Sequence, residues 1–162
     1  MGLFNKFLNK DKQIGKTSSL YIYSPVKGEV IDIEEVKDPI FSKKIMGDGF
    51  AVIPKDKEIT APVDGKVEFI AETKHGISLK TKEGLELFIH LGIDTVNLKG
   101  EGFRMKVKKG DVLKVGDPIC QYDIDFIKNK GFDTTVVLVI TSLGDFKNMK
   151  VDKTRNNVVE VY

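Results

Sequence analysis

From Leu20 onward the chain is cut by Gly, Pro and Asp-rich turns into runs of a few residues each, β-branched or alternating between apolar and polar. The runs are Leu20 to Tyr23, Gly28 to Ile33, Gly49 to Ile53, Glu58 to Ala61, Lys66 to Ala71, a hairpin bounded by His75 and His90, Phe103 to Lys106, Asp117 to Asp123, Thr134 to Thr141 and Asn157 to Val161. A period of two puts alternate side chains on one face, and segments this short build a core only by pairing with one another. Many short strands separated by turn signals mean an all-β fold, an antiparallel sandwich or barrel-like hybrid. One short helix is expected inside it, Asp123 to Lys130, with Asp123 or Asp125 as cap, Ile124, Phe126 and Ile127 apolar, and Gly131 ending it.

A weak internal repeat sharpens that expectation. Ser24-Pro25-Val26-Lys27-Gly28 and Ala61-Pro62-Val63-Asp64-Gly65 each feed a strand, which suggests two similar halves. A third turn, Val107 to Pro118, resembles turns of lipoyl and biotinyl carrier domains, but Lys108 and Lys109 lack the flanking Met or Ala of a modifiable lysine. Residues 20–162 of the 162-residue chain suffice for one β domain with a real core. Residues 1–19 are expected to form a flexible tail, polar from Lys10 to Ser19. Before that, Leu3, Phe4, Phe7 and Leu8 share a helical face beside Lys6, Lys10 and Lys12, a pattern suited to peripheral contact with an anionic membrane.

Lys and Arg total 26 against 24 Asp and Glu, and no basic run carries interleaved aromatics. Charge therefore argues against nucleic acid as a partner and for proteins or small molecules. The single cysteine, Cys120, excludes an internal disulfide and a multi-Cys zinc site. Its place in the apolar run Pro118-Ile119-Cys120 makes it a packing residue, and a reduced cytoplasmic setting fits. No stretch approaches the roughly 20 apolar residues that span a bilayer.

Only two histidines occur, His75 and His90, at the open end of one hairpin whose turn is Thr81 to Gly84. Two imidazoles within reach can share a proton, a metal ion or a phosphoryl group. A two-residue loop at Lys82-Glu83 would set His75 directly opposite His90. A three-residue loop with Gly84 as a bulge would pair Ile77 with Ile89, Leu79 with Leu87 and Lys80 with Glu86. That register matches apolar partners better but sets Gly76 across from His90, so a local distortion near Gly76 would have to bring the rings together.

The stretch Leu87-Phe88-Ile89-His90-Leu91-Gly92-Ile93-Asp94-Thr95-Val96-Asn97-Leu98 resembles the active-site signature of glucose-type enzyme IIA of the bacterial phosphoenolpyruvate-dependent sugar phosphotransferase system. The likeness extends through Gly47-Asp48-Gly49, Glu72-Thr73-Lys74-His75 and Lys99-Gly100-Glu101-Gly102-Phe103, thus from about Ile22 to the carboxyl terminus. It implies a phosphocarrier in which His90 accepts a phosphoryl group from the phosphohistidine carrier HPr and passes it to a cysteine on the IIB domain of a sugar transporter. It implies further that His75 stabilises the phosphoryl oxygens, that Thr73 orients His75, and that the Gly92 carbonyl accepts from Nδ1 of His90, leaving Nε2 to attack.

By the same resemblance Phe41, Ile45, Leu91 and Val96 form an exposed apolar rim for docking, with Asp38 and Asp94 facing basic partner surfaces; Ala71 stands where many relatives carry Phe. Regulated metabolic or transport proteins are possible further partners. No cofactor or metal is required, although His75 and His90 could hold zinc if a partner lent a carboxylate. The alternatives are a zinc-dependent hydrolase of a related duplicated β fold, which lacks a third protein ligand here, and a non-catalytic β binding domain.

Overall fold

The computed structural model describes residues 18–162, so the amphipathic pattern of residues 3–12 lies outside the described residues. Thirteen strands follow in order: β1 Leu20–Ile22, β2 Gly28–Asp32, β3 Gly49–Pro54, β4 Glu58–Thr60, β5 Gly65–Ile70, β6 Gly76–Lys80, β7 Glu86–Leu91, β8 Phe103–Met105, β9 Val112–Leu113, β10 Pro118–Tyr122, β11 Val136–Ser142, β12 Met149–Val151 and β13 Val159–Val161. Two short helices, α1 Pro39–Ser42 and α2 Ile124–Asn129, and two 3-10 turns, Ile33–Glu35 and Thr95–Leu98, complete the elements among the described residues. All strand pairs are antiparallel. The seven-stranded sheet runs β2-β3-β11-β7-β6-β5-β9, beside two three-stranded sheets, β1-β13-β12 and β4-β10-β8. The fold is the antiparallel all-β architecture that the alternation implied.

The two copies of the Pro-Val-x-Gly turn meet. Tyr23 N donates to Pro62 O and Thr60 N to Pro25 O, both at 2.8 Å, so each copy is stitched to the other by a reciprocal bond. Each then feeds an outlying strand of the large sheet, β2 on one side and β5 on the other.

The main apolar cluster draws on all three sheets, and a smaller one lies on the other face of the large sheet. Period two along β7 divides that strand between them. Leu87, Ile89 and Leu91 enter the main cluster, whereas Phe88 packs against the smaller one, formed by Ile33, Val36, Phe41, Ala51, Ile93, Val137 and Val139. His90 shares the face of Phe88.

The hairpin takes the apolar-matched register: Ile77 pairs with Ile89, Leu79 with Leu87, Lys80 with Glu86, and Gly76 with His90. Helix α2 fits the expected capping, with the Asp123 carboxylate accepting from Phe126 N at 3.2 Å and Gly131 at φ +85° just beyond the C-cap. Helix α1 is an addition. Asp38 caps it, accepting from Ile40 N at 2.9 Å, and Pro39 occupies the first helical position, where a missing N–H costs nothing. The thiol of Cys120 is fully buried and pushed up to about 11 by burial, which makes it inert packing.

Candidate functional site

The regular ladder ends at Gly76, and His75 stands in the bend before it. His75 O still accepts from Leu91 N at 2.7 Å, so the backbone at the open end stays tied. The distortion expected near Gly76 lies two residues upstream of it: Lys74 takes a left-handed conformation, φ 62°, and its N donates to Ala71 O at 2.8 Å. Gly76 serves a different need. A Cβ there would stand 2.5 Å from Cζ of Phe88, so its bare backbone makes room for that ring. The result brings the imidazoles together edge to face, their centroids 5.3 Å apart.

Each ring is anchored through Nδ1. Thr73 Oγ1 lies 2.6 Å from Nδ1 of His75, and Gly92 O lies 2.5 Å from Nδ1 of His90. A carbonyl can only accept, so Nδ1 of His90 carries the proton and its Nε2 holds a free lone pair. The aromatic surround of His90 comes from Phe41, with centroids 5.0 Å apart, and Phe88, at 6.0 Å.

Burial holds the His90 pKa below the usual histidine value. The Gly92 hydrogen bond and the carboxylates of Asp38 and Asp94 pull it back up, while His75 pushes it down. His75 is lowered by burial alone. At neutral pH both rings are therefore uncharged, and the lone pair on Nε2 of His90 is free without a base to release it. Asp38 and Asp94 act electrostatically on His90 across space, although Asp38 also caps α1 and Asp94 occupies a left-handed position, φ 59°.

The apolar rim is only half as expected. Ile45 and Val96 are exposed, at 68% and 47%, but Leu91 is 0% exposed and Phe41 only 3%. Leu91 is the next alternate residue after Ile89 and so must enter the main core, and Phe41 is consumed in covering His90. Neither offers surface to a partner. Exposed apolar area comes instead from Ile40 and Met46, which flank Phe41 and Ile45 in the same segment. Phe88 was also missing from the expected site, although its place two residues before His90 on one strand face signals it. Among the described residues, no group of three or more His, Cys, Asp or Glu side chains is placed to hold a metal ion, so the zinc-hydrolase alternative is not supported.

Residues 20–146 match the family described as phosphoenolpyruvate-dependent sugar phosphotransferase system, EIIA 1. The glucose-specific EIIA component of Staphylococcus epidermidis is 37% identical over 150 residues, covering 93% of this chain and 89% of that protein. The component of the same name from Buchnera aphidicola is 44% identical over the same length, with the same coverage. Among solved structures, the glucose permease IIA of Mycoplasma capricolum matches with a TM-score of 0.78 and 30% identity, covering 88% of this chain and 96% of that one. A histidine pair on a seven-stranded antiparallel sheet, and likeness over nearly the whole length of these relatives, lead to one conclusion: the chain belongs to the glucose-type EIIA family of the phosphoenolpyruvate-dependent sugar phosphotransferase system.

Proposed function

We propose that His90 is the phosphoryl acceptor and that residues 20–162 work as one IIA unit, taking the group from phosphorylated HPr and giving it to a cysteine on the IIB domain of a sugar transporter. The observation that carries this reading is the contact between Nδ1 of His90 and Gly92 O. In the accepting step the Nε2 lone pair forms a bond to phosphorus as the donor's nitrogen–phosphorus bond breaks and its electron pair returns to the donor ring. Nδ1 keeps its proton throughout, and the positive charge that the ring gains is met by the Gly92 carbonyl. In the donating step the thiolate of the IIB cysteine attacks phosphorus, and His90 returns to a neutral ring.

His75 stands beside the transferred group. With Thr73 donating to its Nδ1, its Nε2–H is available to the phosphoryl oxygens. Ile40, Ile45, Met46 and Val96 form the apolar docking surface, and the carboxylates of Asp38 and Asp94 favour a basic partner. A IIB acceptor places this work at the inner face of the cell membrane.

The test is to incubate the protein with phosphoenolpyruvate, enzyme I and HPr. An acid-labile, base-stable phosphoryl group is expected on the wild type and absent from His90→Gln. A wild type that takes no label rejects the carrier reading. His75→Gln is expected to accept the group but release it poorly to IIB; normal release would remove His75 from the mechanism.

A further inference from the structure

Three of the four buried polar residues among the described residues, Thr95, Thr134 and Thr135, belong to the two segments that enclose Gly92. The Thr95 hydroxyl and the backbone carbonyls of Asp133 and Thr135 hold the two peptide units that meet at that residue. In the first unit, Thr95 Oγ1 donates to Leu91 O at 2.6 Å and Gly92 N donates to Thr135 O at 3.1 Å. In the second, Ile93 N donates to Asp133 O at 2.9 Å, which leaves Gly92 O for Nδ1 of His90.

The stretch that supplies these acceptors is itself fastened. Thr135 donates to Asp133 Oδ1 through both its N, at 2.9 Å, and its Oγ1, at 2.6 Å. Tyr122, stacked on Phe103, donates its hydroxyl to Thr134 O at 2.9 Å. Burial drives the Tyr122 pKa far up, so that hydroxyl remains a donor at any pH the protein meets. Gly92 sits at φ +83°, and a Cβ there would stand 2.5 Å from Thr95 Cγ2 and 2.9 Å from the Tyr122 hydroxyl. The cradle is closed around a residue without a side chain.

We infer that Thr95, and Tyr122 acting through the 133–135 stretch, are positioning residues that decide which ring nitrogen of His90 is free; the inference rests on His90 being the phosphoryl acceptor. Gly92 is the residue whose flanking peptides turn most freely. Without the Thr95 hydroxyl the Leu91 carbonyl is buried and unpaired, and the peptide gains by rotating toward another partner. The Gly92 carbonyl then leaves Nδ1, the proton is free to move to Nε2, and the lone pair points into the protein instead of toward the donor. A histidine held in the wrong tautomer keeps its place and loses its reactivity.

The experiment reads the tautomer directly. Long-range proton–nitrogen spectra of the unphosphorylated, 15N-histidine-labelled full chain, recorded well above the usual histidine pKa, are expected to show His90 protonated on Nδ1. In Thr95→Val that signature shifts toward Nε2–H, Thr95→Ser restores it, and Tyr122→Phe moves it in the same direction as Thr95→Val. Phosphoryl acceptance falls about ten- to a hundredfold in Thr95→Val. The inference is overturned if folded Thr95→Val keeps the wild-type tautomer, or if Thr95→Ser fails to restore it. Should Thr95→Val not fold, Tyr122→Phe decides alone, and a wild-type signature there overturns the inference. A tautomer that responds as described in a protein that takes no phosphoryl group would reject the carrier reading and, with it, the catalytic purpose of the cradle, while a tautomer that does not respond in a protein that takes the group overturns this inference alone.

Discussion

His90 loses proton affinity to burial and to His75 and regains part of it from Gly92 O, Asp38 and Asp94, so its pKa, like that of His75, lies below the usual value. The consequence for stability has a definite sign. An unfolded histidine titrates near about 6.5, and between that value and the lower folded one the unfolded chain binds more protons. Stability contributed by keeping these rings neutral is complete above the unfolded value and is lost as pH falls through the folded values. Urea midpoints should therefore rise with pH across the window below about 6.5 and then level. A His75→Gln, His90→Gln double variant should lack that part of the slope, and an unchanged slope would contradict the assignment. At this scale the pairings of Thr73 with His75 and of His90 with Gly92 came from the resemblance, and both contacts are present, each between residues two apart. Thr95, Tyr122 and Asp133 were not legible as one cradle, because it is assembled from three separated segments. Leu91 was placed on the exposed rim by resemblance alone, whereas alternation after Leu87 and Ile89 puts it in the core.

Helix α1 serves two purposes through one side chain. Asp38 caps the helix that presses Phe41 onto His90, and its charge acts on that histidine. The two roles separate by substitution. Asp38→Ala should lower stability by about 1 kcal/mol, read from the urea midpoint, because the Ile40 amide loses its acceptor. Asp38→Asn keeps a side-chain oxygen for the cap and should stay within about 0.5 kcal/mol of wild type. It should nonetheless slow acceptance from HPr and weaken the salt dependence of that rate. Equal rates for Asp38→Asn and wild type would reduce Asp38 to a cap. The histidine hairpin was legible as an element because apolar matching selects one register, and that register is observed. A distortion near Gly76 was expected too, but not that Lys74 would carry it, since lysine is no usual candidate for a left-handed turn.

At the scale of the molecule, the strand pattern and the paired Pro-Val-x-Gly turns announced an antiparallel β fold in two related halves. Strands β9 and β12, two and three residues long, went unannounced, because runs so short show no alternation; β9 exists through pairing with the distant β5, and β12 through pairing with β13, the next strand along the chain. Strand β13 lies between β1 and β12 and buries Val159 and Val161 completely. Removing Val159 to Tyr162 should therefore cost at least about 3 kcal/mol from the two valines, before the loss of the ladder. A urea midpoint close to that of the intact chain would show the small sheet to be dispensable. The same pairing sets Leu20 across from Val161. The path of the described residues is thus nearly a closed loop: a short bridge between those two residues, with the chain reopened at an exposed turn such as Lys108 to Gly110, gives a circular permutant whose strand neighbours are unchanged. Order along the chain is incidental to this fold, and adjacency in the sheets is what must be kept.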